Sequence, residues 1–159
     1  MSTTPKIRVL FVCSGNICRS PMAEAVFRHL VEQAGLAQRF SIASAGTGSW
    51  HIGERPHRGT QAVLRAHQVE LSPEKRSRLL THGDFEAFDY IIAMDRENLA
   101  DMATFGYGRK ARRLLEFAPQ ANLADVPDPY YANNFDQVYG LVQAGCAGLL
   151  AHIRKAENL

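Results

Sequence analysis

The run from Val9 to Ala25, VLFVCSGNICRSPMAEA, decides the fold. It opens in an apolar stretch, Ile7-Arg8-Val9-Leu10-Phe11-Val12, which has the length and composition of a buried strand. It closes in a segment where Ser20 can serve as helix N-cap and Pro21 as the first helical residue. Between strand and helix lie Cys13, Ser14, Gly15, Asn16, Ile17, Cys18 and Arg19. A short loop running from a strand into a helix N-terminus gathers backbone N–H groups about one point and makes an anion site. Cys13 stands at the mouth of that site and Arg19 closes it. The expectation is a loop that holds a phosphate with a nucleophile underneath.

The residue types suit that chemistry. A free cysteine titrates near 8.5, so little is thiolate at neutral pH, whereas a helix N-terminus and a nearby arginine lower a thiol to roughly 3.5–7.5. A planar guanidinium supplies two parallel donors to phosphate oxygens, which a lysine does not match. Gly15 permits backbone geometry that a side chain would strain, and Asn16 is a type that tolerates left-handed φ/ψ. The Ser20 hydroxyl can also donate to the sulfur. A nucleotide-binding loop is disfavoured, because no G-x-x-x-x-G-K-[ST] is present.

Outward from this stretch, the chain of 159 residues is long enough for one domain with a substantial core. It is 46% hydrophobic and 21% charged, an ordinary globular balance. A net charge of +2 is too small to argue for nucleic acid. Three cysteines at this length are not a disulfide framework. The start MSTTPK leads directly into the first strand, so no signal peptide is expected, and no apolar run nears the ~18 residues that span a membrane. A cytoplasmic, monomeric protein is expected. The six histidines show no paired ligand spacing and the cysteines no C-x2-C, so neither a metal nor a cofactor is expected.

In chain order, helical spacing runs from Pro21 to Ala34, and Gly35 can end it. Phe40–Ala43 is a second strand, so the chain opens β–α–β with a parallel pair. Gly59–Gln68 is a helix. Phe88–Met94 is a buried central strand, after which Asp95 caps a helix to about Thr104. Gly106–Arg113 is a turn with a basic cluster, either a solvated face or an attractor of acidic peptide. Leu114–Phe117 is the fourth strand. Phe135 to Lys155 is the last helix, and Cys146 belongs to its apolar stripe. The fold class is α/β: a single domain over residues 1–159, a four-stranded, mostly parallel sheet with helices on both faces, and the phosphate loop after strand one.

The segment Asp125–Tyr131, DVPDPYY, is the second chemical element. Prolines on both sides of Asp128 stiffen it, which suits a carboxylate held in fixed geometry. Asp125 is the competing acid. Cys18 stands five residues from Cys13 in the same loop. It is a redox candidate for a reversible disulfide with Cys13, or else a small packing residue.

VCSGNICRSPMAEA resembles the signature loop of the low-molecular-weight protein tyrosine phosphatases, and Ser44-Ala45-Gly46-Thr47, Phe88–Asp95 and Asp128-Pro129-Tyr130-Tyr131 follow in register. The resemblance implies hydrolysis of phosphotyrosine in proteins through a phosphocysteine on Cys13. Arg19 then binds phosphate and the transition state, and Asp128 acts as acid and then base. Ser14, Gly15, Asn16, Ile17, Cys18 and Ser20 surround the substrate, while Asn16, Ser20 and Ser44 support the loop. The resemblance also implies that Trp50, Tyr130 and Tyr131 wall the cleft, with His51 beside them. Trp50 could equally be packing, His51 a solvated histidine, and either tyrosine an ordinary partly buried one. Tyr130 and Tyr131 are the positions at which the family carries regulatory phosphorylation. A bacterial tyrosine kinase is an expected protein partner. Many relatives carry a loop-supporting histidine where Pro73 falls here, and Arg76 or Arg78 could compensate. A thiol-dependent arsenate reductase would need further cysteines near the loop, and an idle phosphate-binding module would not need Cys13, Arg19 and Asp128 together.

Overall fold

The computed structural model describes residues 5–106 and 109–159. Its elements in order are β1 (Ile7–Cys13), α1 (Arg19–Gln33), a 3-10 turn (Ala37–Arg39), β2 (Phe40–Gly46), α2 (Arg58–Ala66), α3 (His82–Ala87), β3 (Tyr90–Ala93), α4 (Arg96–Thr104), β4 (Ala111–Arg113), 3-10 turns at Leu114–Phe117 and Pro119–Ala121, α5 (Pro129–Ala132) and α6 (Phe135–Ala156). The sheet has four strands in the order β2-β1-β3-β4. Among the described residues every pairing is parallel, so "mostly" parallel becomes wholly parallel there.

β1 is central, which is why its residues are almost all buried: both faces are covered. Alternate side chains serve two cores. Val9, Phe11 and Cys13 face α1 and α6, where Phe11, Phe27 and Phe40 meet edge to face at 5.5 and 5.6 Å. Leu10 and Val12 face the other side with Phe85 of α3 and Met102 of α4. Helices therefore cover both faces. Cys146 lies in the first core with its thiol toward the Ala23 carbonyl, and burial pushes its pKa up.

Several boundaries differ from expectation. β4 lies at Ala111–Arg113, and Leu114–Phe117 is a 3-10 turn rather than the fourth strand. The Arg113 amide donates to the Glu116 carboxylate at 2.6 Å, which turns the chain out of the sheet. Helix α1 begins at Arg19, so Ser20 and Pro21 lie inside its first turn and Ser20 is not the cap. β2 runs on to Gly46, and α3 carries too little periodicity to be read from sequence. Three cations of the basic cluster are engaged in structure. Lys110 donates to the Phe85 carbonyl, Arg112 lies over the Phe117 ring, and Arg113 donates to the Ala124 carbonyl. Tyr107 and Gly108 lie outside the described residues.

α6 lies so close to the turn at Leu114–Phe117 that a Cβ on Gly148 would meet the Phe117 carbonyl oxygen at 1.8 Å. The obstacle is backbone, which cannot swing aside. Gly148→Ala is expected to cost about 1–3 kcal/mol as an overpacking substitution. A urea midpoint unchanged from wild type would overturn this.

Candidate active site

The loop Cys13–Arg19 emerges at the carboxyl end of β1, where parallel sheets place their ligands. Asn16 takes the left-handed conformation, with φ of 56°. Gly15 does not, so its lack of a side chain serves another purpose. A Cβ there would stand 2.9 Å from the His51 ring. The loop carbonyls are engaged from behind. Cys13 and Ser14 accept from the amides of Thr47 and Gly48, Gly15 from the Ser77 hydroxyl, Ile17 from the His57 amide and Cys18 from the Thr60 hydroxyl.

Behind the nucleophile position runs a chain of side chains. Cys13 Sγ and Ser20 Oγ are 3.0 Å apart. Asn16 Nδ2 donates to Ser20 Oγ at 2.8 Å and to Ser44 Oγ at 3.0 Å. Asn16 Oδ1 accepts from the backbone amide of Arg78. Asn16 and Ser20 are thus buried side chains behind the loop and do not line the cleft. The support expected near Pro73 comes from other residues: the Arg78 amide, the Ser77 hydroxyl and Lys75, whose ammonium donates to the Ser44 carbonyl. The Arg78 side chain grips Asp84 through two hydrogen bonds, which anchors this segment to α3.

Burial of Asp84 works to raise its pKa, yet the bonds from Arg78 and the Thr81 amide outweigh it and hold the carboxyl below its usual range. A carboxylate lowered by folding adds stability that is present above its unfolded pKa of about 3.9 and fades as pH falls through the folded value. Asp84→Asn is therefore expected to lower the urea midpoint at neutral pH, with the gap to wild type closing in acid. A gap independent of pH would sink the assignment.

Arg19 is 2% exposed. Its Nη1 donates to Asp95 and, at 2.9 Å, to the Val126 carbonyl, while Nη2 lies 3.7 Å from Asp128 Oδ2. Burial opposes its charge, but Cys13, Asp95 and Asp128 prevail and move its pKa up. Asp128 caps α5 by accepting from the Tyr130 amide, leaving its other oxygen toward Arg19. Asp125 is not in the cleft, because Arg96 holds it at 3.2 Å. Burial, then the charges of Cys13 and Asp128, push the Cys18 thiol up to about 12.

The cleft over the loop has a volume of about 520 Å³. Cys13, Ser14, Gly15, Ile17, Cys18 and Arg19 form its floor, and Trp50, His51, Asp128, Tyr130 and Tyr131 its rim. Trp50 is 73% exposed and Tyr131 89%, so neither is core packing. His51 bonds Glu54 and leans on Tyr130, with ring centres 5.7 Å apart. Sequence reasoning missed Asp95 as the partner of Arg19, Asn98 as a donor to Ser14 and Val126 as the carbonyl that fixes Arg19. Asp95 carried a signal, but as a helix cap, and it fills that role too.

Residues 8–159 match the family model of the low molecular weight phosphotyrosine protein phosphatases. The chain is 49% identical to the low molecular weight protein-tyrosine-phosphatase YfkJ of Bacillus subtilis, over 96% of its own length and 99% of the relative's. It is 43% identical to the low molecular weight protein-tyrosine-phosphatase PtpA of Staphylococcus saprophyticus, over 96% and 97%. The crystal structure of YfkJ superposes with a TM-score of 0.91, covering 98% of this chain and 99% of that one. A drosophila arginine phosphatase superposes at 0.86 with 32% identity, covering 93% and 98%. The strand, the loop with its cysteine and arginine, and the shared fold agree: this chain is a phosphatase and belongs to the low molecular weight phosphotyrosine protein phosphatase family.

Proposed function

We propose that this phosphatase hydrolyses phosphotyrosine in proteins through a phosphocysteine on Cys13. The observation that carries the reading is one cleft that brings Cys13, Arg19 and Asp128 together beneath an aromatic rim. With the loop carbonyls engaged from behind, the loop amides are left for the phosphate. Arg19 spends Nη1 on Asp95 and Val126, so Nη2 and Nε remain for the phosphoryl oxygens. The Cys13 thiolate attacks phosphorus, the bond to the phenolic oxygen breaks, and Asp128 gives that oxygen its proton. Asp128 then takes a proton from the water that attacks phosphocysteine, which releases inorganic phosphate and the thiolate.

Trp50, Tyr130 and Tyr131 offer faces on which a tyrosyl ring can stack, with His51 at the side. Their exposure suits a phosphotyrosine borne on a protein surface, such as that of a bacterial tyrosine kinase. We take residues 1–159 as one domain, a reading supported by the four strands of the described residues sharing one sheet. We place it in the cytoplasm as a monomer. Cys18, a neutral thiol in the same loop, would condense with a Cys13 sulfenic acid formed by peroxide, releasing water and leaving a disulfide. Peroxide treatment that yields Cys13 sulfonate without any disulfide would remove that role.

The test is turnover of a phosphotyrosyl peptide against a phosphoarginyl peptide, in EDTA, with wild type and Asp128→Asn. Wild type is expected to prefer the phosphotyrosyl peptide. Asp128→Asn should lower kcat by about 10²–10⁴, the usual worth of a general acid, with phosphate inhibition nearly unchanged. Turnover of phosphoarginine alone would overturn the substrate assignment.

A further inference from the structure

Two side chains of the cleft rim, Trp50 and His51, each lie over a glycine. The His51 ring takes the space above Gly15. The Trp50 indole lies on Gly48, where a Cβ would fall inside van der Waals contact with Cε3, Cζ3 and Cη2 of its six-membered ring.

The backbone does not ask for glycine at 48. The described glycines with positive φ are Gly35, Gly53 and Gly106, and Gly48 is not one of them. Gly46, two residues earlier, is a different case. A Cβ there would stand 2.8 Å from the Ser14 carbonyl oxygen, which is backbone and cannot give way. At Gly48 the obstacle is the outer end of a side chain, which can. The missing side chain at 48 therefore keeps a place for the indole.

That place is tied to the reacting end of the site. The Gly48 amide donates to the Ser14 carbonyl at 2.9 Å, and the Thr47 amide to the Cys13 carbonyl at 2.9 Å. The backbone beneath the indole is thus joined directly to the loop that carries Cys13. The indole itself is 73% exposed, so it has little else to lean on. An exposed side chain ordinarily flips among rotamers in picoseconds to nanoseconds. A ring laid on Gly48 is instead held at one height above the loop, and a side chain ordered beforehand need not be ordered when substrate binds. We infer that Gly48 is a specificity-determining residue, the seat that sets Trp50 at a fixed height over Cys13 and so favours phosphate esters that carry an aromatic ring. Gly48 does not line the cleft and acts through Trp50, which makes it a positioning residue. This rests on the proposed stacking of a tyrosyl ring against Trp50.

The test is a cycle of wild type, Gly48→Ala, Trp50→Ala and the double variant. The readouts are kcat and KM on a phosphotyrosyl peptide, inhibition by inorganic phosphate, thermal melting and acrylamide quenching of tryptophan fluorescence, which reports Trp50 alone because the chain has no other tryptophan. Gly48→Ala is expected to raise KM by roughly 3- to 10-fold, the equivalent of ordering one side chain at each binding event. Its kcat and its inhibition by phosphate, which has no ring, should stay within about twofold of wild type, as expected when only ground-state binding is lost. Quenching should rise as the covered face of the indole opens. In the Trp50→Ala background, Gly48→Ala should alter neither KM nor melting temperature. A wild-type KM in Gly48→Ala would overturn the inference, because the indole would have moved without consequence for substrate. A melting temperature that Gly48→Ala lowers equally in both backgrounds would overturn it too, because Gly48 would then serve the backbone. A wild-type KM in Trp50→Ala would remove the stacking, and the seat's part in specificity with it. Wild-type protein that hydrolyses no phosphotyrosyl peptide would instead overturn the proposed function, with quenching and melting still deciding whether Gly48 seats the indole.

Discussion

Cys13→Ser is expected to abolish turnover of aryl phosphates while leaving phosphate binding intact. The serine hydroxyl is a far weaker nucleophile at neutral pH, and so is the Ser14 hydroxyl that also lines the cleft. Cys18 is the nearest alternative thiol, but its pKa of about 12 keeps it protonated. Losing the nucleophile of a covalent mechanism costs roughly 10⁴–10⁶-fold in kcat. Binding should survive because what holds the anion remains: Arg19, its Asp95 and Val126 partners, and the loop shaped by Asn16. Calorimetric titration with phosphate or vanadate checks the second half. Residual turnover at the per cent level in Cys13→Ser, with no wild-type contamination, would remove the phosphocysteine from the mechanism.

Arg19→Lys is expected to lower kcat by about 10³-fold, between the loss of one oxyanion donor and the loss of an arginine that holds a transferring phosphoryl group. The substitution keeps the charge, so a simple electrostatic view predicts a small effect. The geometry argues otherwise. Arg19 uses one nitrogen on Asp95 and the Val126 carbonyl and directs the other toward the cleft. An ammonium is a point donor and cannot bridge both directions. Either the phosphate loses its fork, or Asp95 and Val126 lose a buried partner and the melting temperature falls. Asp95→Asn weakens only the anchor and should have the smaller kinetic effect. Equal activity of Arg19→Lys and wild type would mean that charge alone holds the transition state.

The parts legible in the sequence were those encoded within a short span. The apolar strand, the loop and the amphipathic helix follow one another within 30 residues, and Asp95 caps α4 as its place before the helix implies. α6 announced itself by its long stripe. The misread parts depend on contacts between distant positions. Leu114–Phe117 has the composition of a strand, but Glu116 and the bare surface of α6 at Gly145 and Gly148 bend it into a 3-10 turn. Ser20 looked like a cap because Ser-Pro begins many helices, yet its hydroxyl lies beside Cys13. The support near Pro73 was sought as one side chain of the right type. It is divided between a backbone amide at Arg78, a hydroxyl at Ser77 and an ammonium at Lys75, and a backbone donor leaves no trace in residue identity.

Val126, 1% exposed, ties the acid-bearing segment at two points, its amide to the Met94 carbonyl at the end of β3 and its carbonyl to Arg19. The group that binds phosphate and the segment that supplies the proton are therefore fastened to one sheet end before any substrate arrives. The entropy of ordering the acid is thus spent once, during folding, rather than at every turnover.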